Sequence, residues 1–160
     1  ELVPDDVETL YQRTWTNLYA NDGKAAYEDA VHFLQLNGSK KGFEYIVLAG
    51  YLGVRKIGKT NDAKTFLTKW ISQGDSASWS LNLMKYFDGV ITRDQLLTLS
   101  TDNKKLTESR TYIGELLLLE SKTSDAVEQF KWVTSNGEKS FTEYELAKAE
   151  LKRIGGSPPK

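Results

Sequence analysis

Apolar positions recur at spacings of three and four along most of the chain. Leu10, Trp15, Leu18 and Tyr19 form one set, and Tyr27, Ala30, Val31 and Leu34 a second. Ile46, Val47, Gly50, Tyr51 and Val54 form a third, followed by Phe66, Leu67, Trp70 and Ile71. That period places each set on one face of an α-helix. Nowhere do six residues alternate cleanly between apolar and polar, so no half-buried strand is expected. The three prolines, Pro4, Pro158 and Pro159, all lie near the ends, and the long proline-free interior suits helices.

Polar and glycine-containing breaks divide this pattern. They fall at 21–23 (NDG), 37–42 (NGSKKG), 58–62 (GKTND), 73–76 (QGDS), 88–92 (DGVIT), 100–104 (STDNK), 120–125 (ESKTSD) and 135–140 (SNGEKS). Asp5 with Glu8 forms a capping box at the start, and Gly155 with Gly156 stops the last helix. The prediction is about nine helices of 8 to 17 residues, joined by short links into one domain over residues 1–155, with 156–160 as a tail. The class is all-α, an antiparallel stack of helical hairpins.

Two stretches repeat. Residues 51–70 (YLGVRKIGKTNDAKTFLTKW) and 112–132 (YIGELLLLESKTSDAVEQFKW) both open with Tyr-apolar-Gly. Both continue to Lys-Thr-polar-Asp-Ala and then to a large apolar anchor four residues after the Ala. The Lys-Thr elements lie 63 residues apart, roughly twice the 34-residue tetratricopeptide unit, which leaves room for a degenerate unit between them. Gly114, Ala126 and Phe130 occupy the small, Ala and aromatic positions of that unit, whose Trp, Tyr and Pro are here Arg110, Leu117 and Glu138. A mid-helix glycine costs about 1 kcal/mol relative to alanine. A close helix crossing at Gly114, with Ala126 facing it, is the expected compensation. The chain thus resembles a tetratricopeptide-like right-handed solenoid, with a generic helical bundle as the alternative.

Composition narrows the chemistry. Twenty-one Lys and Arg against 22 Asp and Glu leave a net charge of -1, so nothing draws the whole chain to nucleic acid or to an anionic membrane. With no cysteine there is no disulfide, thiolate metal site or thiol nucleophile. No apolar run approaches the ~18–20 residues that span a bilayer. The chain begins at Glu1 without an initiator methionine, as expected of a trimmed or processed form, and any targeting segment would lie upstream.

One string points toward catalysis. Residues 53–60, GVRKIGKT, fit the phosphate-loop pattern G-x-x-x-x-G-K-[ST]. Its four x positions, Val54, Arg55, Lys56 and Ile57, are bulky, and no strand or Mg²⁺-binding Asp accompanies it. The repeat gives another reading, in which Lys59-Thr60 matches Lys122-Thr123, Gly58 ends one helix and Thr caps the next. His32, the only histidine, reads as structural. Glu108 and Glu120, each followed by Ser, are similar to the Glu-Ser of helical lytic transglycosylases, but solvated carboxylates are expected. Arg55, Lys56, Lys59, Lys64 and Lys69 make a basic cluster read as a solvated face.

From Tyr45 to Ile154 the order of features resembles the C-terminal half of bacterial tetratricopeptide lipoproteins of the NlpI type. The resemblance rests on a Trp79-led helix closing with YFDG at 86–89, the short TRDQLLTL helix, the Tyr112-to-Val133 hairpin and the closing SFTEYELAKAELKRIG helix. It implies a non-catalytic adaptor of the bacterial cell envelope that presents partners to proteases or peptidoglycan enzymes. The lipid-bearing cysteine of such proteins is missing here. A tetratricopeptide array binds a peptide or protein along its first helices, which would place Tyr11, Trp15, Tyr45, Leu48, Leu52, Arg55, Met84 and Phe87 on a partner groove. The alternative for each is the inter-helix core. The expectation is a protein-binding scaffold without cofactor or metal, a homodimer being one possibility. The competing readings are a hydrolase, acting through Gly53–Thr60 or on a glycan, and a regulatory fragment of a larger enzyme.

Overall fold

A computed structural model describes residues 6–40 and 42–155. Among the described residues there are nine α-helices and no strand. They are α1 (Val7–Tyr19), α2 (Gly23–Asn37), α3 (Phe43–Lys56), α4 (Thr60–Ile71) and α5 (Trp79–Phe87), then α6 (Arg93–Leu99), α7 (Asn103–Leu119), α8 (Thr123–Asn136) and α9 (Thr142–Arg153). The breaks lie where glycine and capping residues predict them. The shortest helix, α6, has seven residues, one fewer than expected. Asp5 lies outside the described residues. The cap of α1 is Asp6, whose carboxylate accepts the Thr9 N–H at 2.8 Å. At the other end Gly155 takes φ +75°, the left-handed stop expected of it.

The helices gather into two compact units, one ending at Asp88 and one beginning at Gly89. In the first, α3 is central and packs against α1, α2, α4 and α5. Nine consecutive residues, Ile46 to Val54, are therefore buried, and the helix is apolar all round. The approach of α2 is closest at Gly23 and Gly53. A Cβ built on Gly53 would lie 2.6 Å from the Gly23 carbonyl oxygen, and one on Gly23 would lie 2.5 Å from the Gly53 oxygen. A bidentate clamp joins α1 to α2, where the Arg13 guanidinium pairs with buried Asp29, which also accepts from Asn17 at 2.9 Å.

In the second unit α7 packs on α6, α8 and α9. The ring of Phe130 from α8 lies on Gly114, its nearest atom 2.5 Å from where a Cβ would stand. Gly114 is thus a close-approach glycine as expected, and the three atoms nearest to its Cβ position all belong to Phe130. Gly53 and Gly114 are also not equivalent. Gly53 meets the second helix of the preceding hairpin, and Gly114 meets the second helix of its own.

The true equivalence lies in the turns. Three hairpins, α1–α2, α3–α4 and α7–α8, share one connection in which the first residue past the cap is left-handed: Asn21 at φ 60°, Gly58 at 80° and Ser121 at 62°. Each of those residues donates its N–H three residues back, at 2.9–3.0 Å, to Leu18, Arg55 and Leu118. The following residue donates five back, Asp22 to Asn17, Lys59 to Val54 and Lys122 to Leu117, at 2.8, 3.2 and 2.8 Å. This is a Schellman turn, which satisfies the last carbonyls of the first helix. Four residues on stand Ala26, Ala63 and Ala126, and eight on stand Ala30, Leu67 and Phe130, all without solvent exposure. The N-caps of α4 and α8 are therefore Lys59 and Lys122, at φ/ψ -93°/66° and -91°/59°, and not the threonines, which are the first helical residues. Lysine makes no side-chain cap bond there, because the turn itself fixes the chain.

One prediction follows from this geometry. Ser121 holds a left-handed conformation that costs a non-glycine residue about 1–2 kcal/mol, so Ser121→Gly is expected to raise stability by up to about 1 kcal/mol after the glycine entropy cost. Urea denaturation of the two chains measures it, and a loss of stability would contradict the strain argument.

Candidate functional site

The phosphate-loop string does not form a phosphate loop. Gly53 to Lys56 are the last turn of α3, Ile57 caps it, Gly58 and Lys59 form the turn, and Thr60 opens α4. The N–H groups of Gly58 and Lys59, which a phosphate would need, are spent on Arg55 and Val54 carbonyls. Gly53 serves the crossing with α2. Lys59 lies within 4.0 Å of Asp62 on the solvent side.

The eight groove candidates all belong to the first unit, and burial divides them. Leu48, Leu52 and Met84 are completely buried, Trp15 is 1% exposed, and Phe87 is buried too. Their side chains pack the core and are not presented to a partner. Tyr11, Tyr45 and Arg55 are half-buried and reach the surface. Tyr11 packs between Trp15 and Phe33, with ring centroids 6.4 and 6.2 Å away. Arg55 donates to the Tyr51 hydroxyl at 2.8 Å and lies 5.7 Å from that ring, which meets Phe87 edge-on at 5.0 Å. The structure thus brings Arg55 and Phe87 together through Tyr51, a residue the groove pattern had missed. Tyr45 sits ten residues earlier on α3, about 15 Å along the axis by helical rise.

Two clefts flank these helices in the first unit. One lies between α2 and α4, with Tyr27, Val31, Phe66 and Trp70 on its walls, and measures about 470 Å³. The other, also about 470 Å³, opens at the start of α3 beside Glu44 and Tyr45, where the α4–α5 connection brings Asp75 and Trp79 across. Neither is legible in the sequence, since each depends on residues some thirty positions apart meeting. The basic cluster is mostly a solvated face, with Lys59, Lys64 and Lys69 exposed and Arg55 and Lys56 half-buried.

In the second unit Arg110 stands where the tetratricopeptide pattern has Trp. Its guanidinium lies 4.6 Å from the Trp132 ring and donates to Gln129 at 3.0 Å. Glu108 is only 6% exposed, so the expectation of a solvated carboxylate fails there. It holds for Glu120, which is exposed and pairs with Lys122 at 2.7 Å. Glu108 is one of a buried polar set on α7 with Thr107, Ser109, Thr111 and Glu115. Hydroxyls join this set to its neighbours. Ser109 bonds Ser100 at 2.7 Å, Thr107 accepts the Glu138 N–H at 2.9 Å, and Thr111 donates to the Glu143 carbonyl at 3.2 Å.

Glu143 of α9 is buried between these helices. Its carboxyl oxygens accept from the Tyr112 hydroxyl at 2.7 Å and from Thr142 at 2.9 Å. Burial raises its pKa above the ordinary carboxyl value, and the two hydrogen bonds offset that only in part. A raised folded pKa means the native state holds the proton more tightly. Its contribution to stability is complete below the unfolded value of about 4.3 and is lost as pH rises through the folded one. Glu143→Gln keeps an acceptor for Tyr112 and removes the titration. The variant is expected to lose less stability than the parent between pH 4 and pH 8 in parallel thermal melts. Equal losses would show that Glu143 does not govern this range.

Among the described residues no group of three or more His, Asp or Glu is placed to hold a metal ion, and His32 is half-buried on α2. No helix among them is long and apolar enough to cross a membrane. The class defined by these features is an all-α chain of helical hairpins. No protein-family model matches it.

Proposed function

We propose that the chain is a non-catalytic protein-interaction scaffold built of tetratricopeptide-like hairpins. Two of its first helices, α1 and α3, offer Tyr11, Tyr45 and Arg55 to a peptide or protein partner. The observation that carries this reading is the recurrence of one Schellman turn with a buried Ala four residues on, in three hairpins of differing sequence. Such recurrence is the mark of repeat architectures, which present extended surfaces rather than a reaction centre. The Arg110–Trp132 stack supports it further, since the aromatic missing from α7 is supplied by α8. Aromatic and Arg side chains at a surface are the usual anchors of binding energy. The likeness to NlpI-type adaptors of the bacterial envelope accords with this reading.

A photo-crosslinking residue at Tyr45 or Arg55 is expected to trap a discrete partner from lysate of the source cells. The same residue at Glu128, exposed on α8, is expected to trap none. Equal labelling from all three positions would refute a defined surface. Titration calorimetry with Mg·ATP is expected to give no binding heat. Binding that Lys59→Ala abolished would restore the hydrolase reading.

A further inference from the structure

We propose that the polar pocket at the start of α3 and α5 receives the guanidinium of an arginine side chain from a partner peptide. The proposal rests on the scaffold reading and specifies the chemistry of what that scaffold recognises. The pocket is bordered by Ser39 and the Gly42–Tyr45 start of α3, by Gln73, Asp75 and Ser78 of the α4–α5 connection and by Trp79 and Ser80 at the start of α5, and its volume of about 470 Å³ is that of a small-ligand site. Glu44 is 7% exposed and lines it, yet its carboxylate makes no hydrogen bond or ion pair to another described residue. A buried carboxyl without a protein partner is costly. Here that group faces the pocket, where an incoming donor can meet it.

Charge decides the sign of the ligand. The helix N-termini of α3 and α5 each bring about half a positive charge. Glu44 and Asp75 bring two negative charges when ionised, and among the described residues no Lys or Arg lines the pocket, so their balance is about one negative charge. Lys40, in the turn before α3, is exposed and is not among the lining residues. Among the remaining side chains, the Ser39, Ser78 and Ser80 hydroxyls donate or accept, and Gln73 and Asp75 add acceptor oxygens. Gln73 directs its amide N–H to the Lys69 carbonyl at 3.4 Å, which leaves its oxygen available. Asp75 uses one oxygen on the Ala77 N–H at 2.9 Å and keeps the other. Tyr45 and Trp79 add ring surface. A site with two carboxylates, a free amide oxygen and aromatic walls suits a flat guanidinium, which donates in its plane and stacks on its face.

The test uses the full ¹⁵N-labelled chain. A blocked pentapeptide with one arginine among glycines is titrated in, followed by its citrulline counterpart, which has the same shape and no charge, and by L-arginine amide. The Trp79 indole and Ser80 amide resonances are expected to move saturably with the arginine peptide and not with the citrulline peptide. Glu44→Gln and Asp75→Asn are each expected to weaken binding at least fivefold. Asp75 is exposed, so its variant serves even if Glu44→Gln perturbs folding. Equal binding of the citrulline peptide, or unchanged affinity in Asp75→Asn, would overturn the proposal. L-arginine amide binding as tightly as the peptide would overturn it in favour of a free small cation. A pocket indifferent to arginine while crosslinks from Arg55 persist refutes this inference alone. A pocket that binds arginine while no partner crosslinks to Tyr45 or Arg55 refutes the scaffold reading.

Discussion

Trp15→Ala is expected to lower the unfolding free energy by about 3–5 kcal/mol, the range for truncating a buried large aromatic. Trp15 is 1% exposed, and its ring meets Tyr11 and Tyr19 at centroid distances of 6.4 and 6.3 Å. Its indole N–H has no hydrogen-bond partner within the described protein. That detail supplies a second variant. Trp15→Phe removes the unsatisfied donor while keeping most of the apolar volume, so its cost should stay below about 1.5 kcal/mol. Denaturation followed by far-UV circular dichroism measures both. A loss under about 1 kcal/mol for Trp15→Ala would contradict its place in the core. Any binding defect in that variant would report unfolding rather than a lost partner contact.

Gly53→Ala is expected to destabilise the first unit by about 2 kcal/mol, despite the gain of about 1 kcal/mol that alanine normally brings to a helix interior. The added Cβ would stand 2.6 Å from the Gly23 carbonyl oxygen and 3.1 Å from the Tyr27 nitrogen. Both are backbone atoms, so no rotamer change relieves the overlap and α2 must move away from α3. The control is Gly58→Ala, where a Cβ meets nothing within 4 Å and only the left-handed φ of +80° is penalised, by about 1–2 kcal/mol. The two variants separate in the packing signals of α2. Near-ultraviolet dichroism and Tyr27 resonances should change in Gly53→Ala and stay as in the parent in Gly58→Ala. A neutral Gly53→Ala would mean that the helices are not held at this separation.

The helices themselves were legible because their apolar period and their stops agree. Every predicted break coincides with a real one, since glycine, Asn and Asp act locally. The register of the repeat was legible only in part. Lys59-Thr60 and Lys122-Thr123 align because the turn between helices constrains five consecutive residues. Tyr51 to Gly53 and Tyr112 to Gly114 look alike but do different work, because a mid-helix glycine records a close neighbour without recording which helix it belongs to. The α1–α2 hairpin is not recognisable as a repeat from sequence, since its turn is built from Asn21 and Asp22 rather than a Lys-Thr pair.

The surface was harder to read than the fold. Periodicity identifies a face, and it does not separate a face turned to solvent from one turned to another helix. For α3, surrounded on four sides, nearly every residue is core, and Leu48 and Leu52 are lost as contacts for that reason. Glu108 shows the opposite error, a charged residue buried where composition alone would leave it in water. Glu44, Asp75 and Trp79 share a pocket only because the α4–α5 connection folds back on the start of α3.

The three matching turns have a consequence for exchange between parts of the chain. Asn21-Asp22, Gly58-Lys59 and Ser121-Lys122 have nearly the same backbone and the same carbonyl acceptors behind them. They are alike in backbone but not in capping, since Asp22 also accepts the Ala25 N–H at 3.0 Å and the two lysines make no cap bond. A dipeptide moved from one hairpin to another would meet the backbone geometry it left, so Asn21-Asp22 placed at 121–122 would bring a carboxylate cap to α8 that Lys122 does not supply.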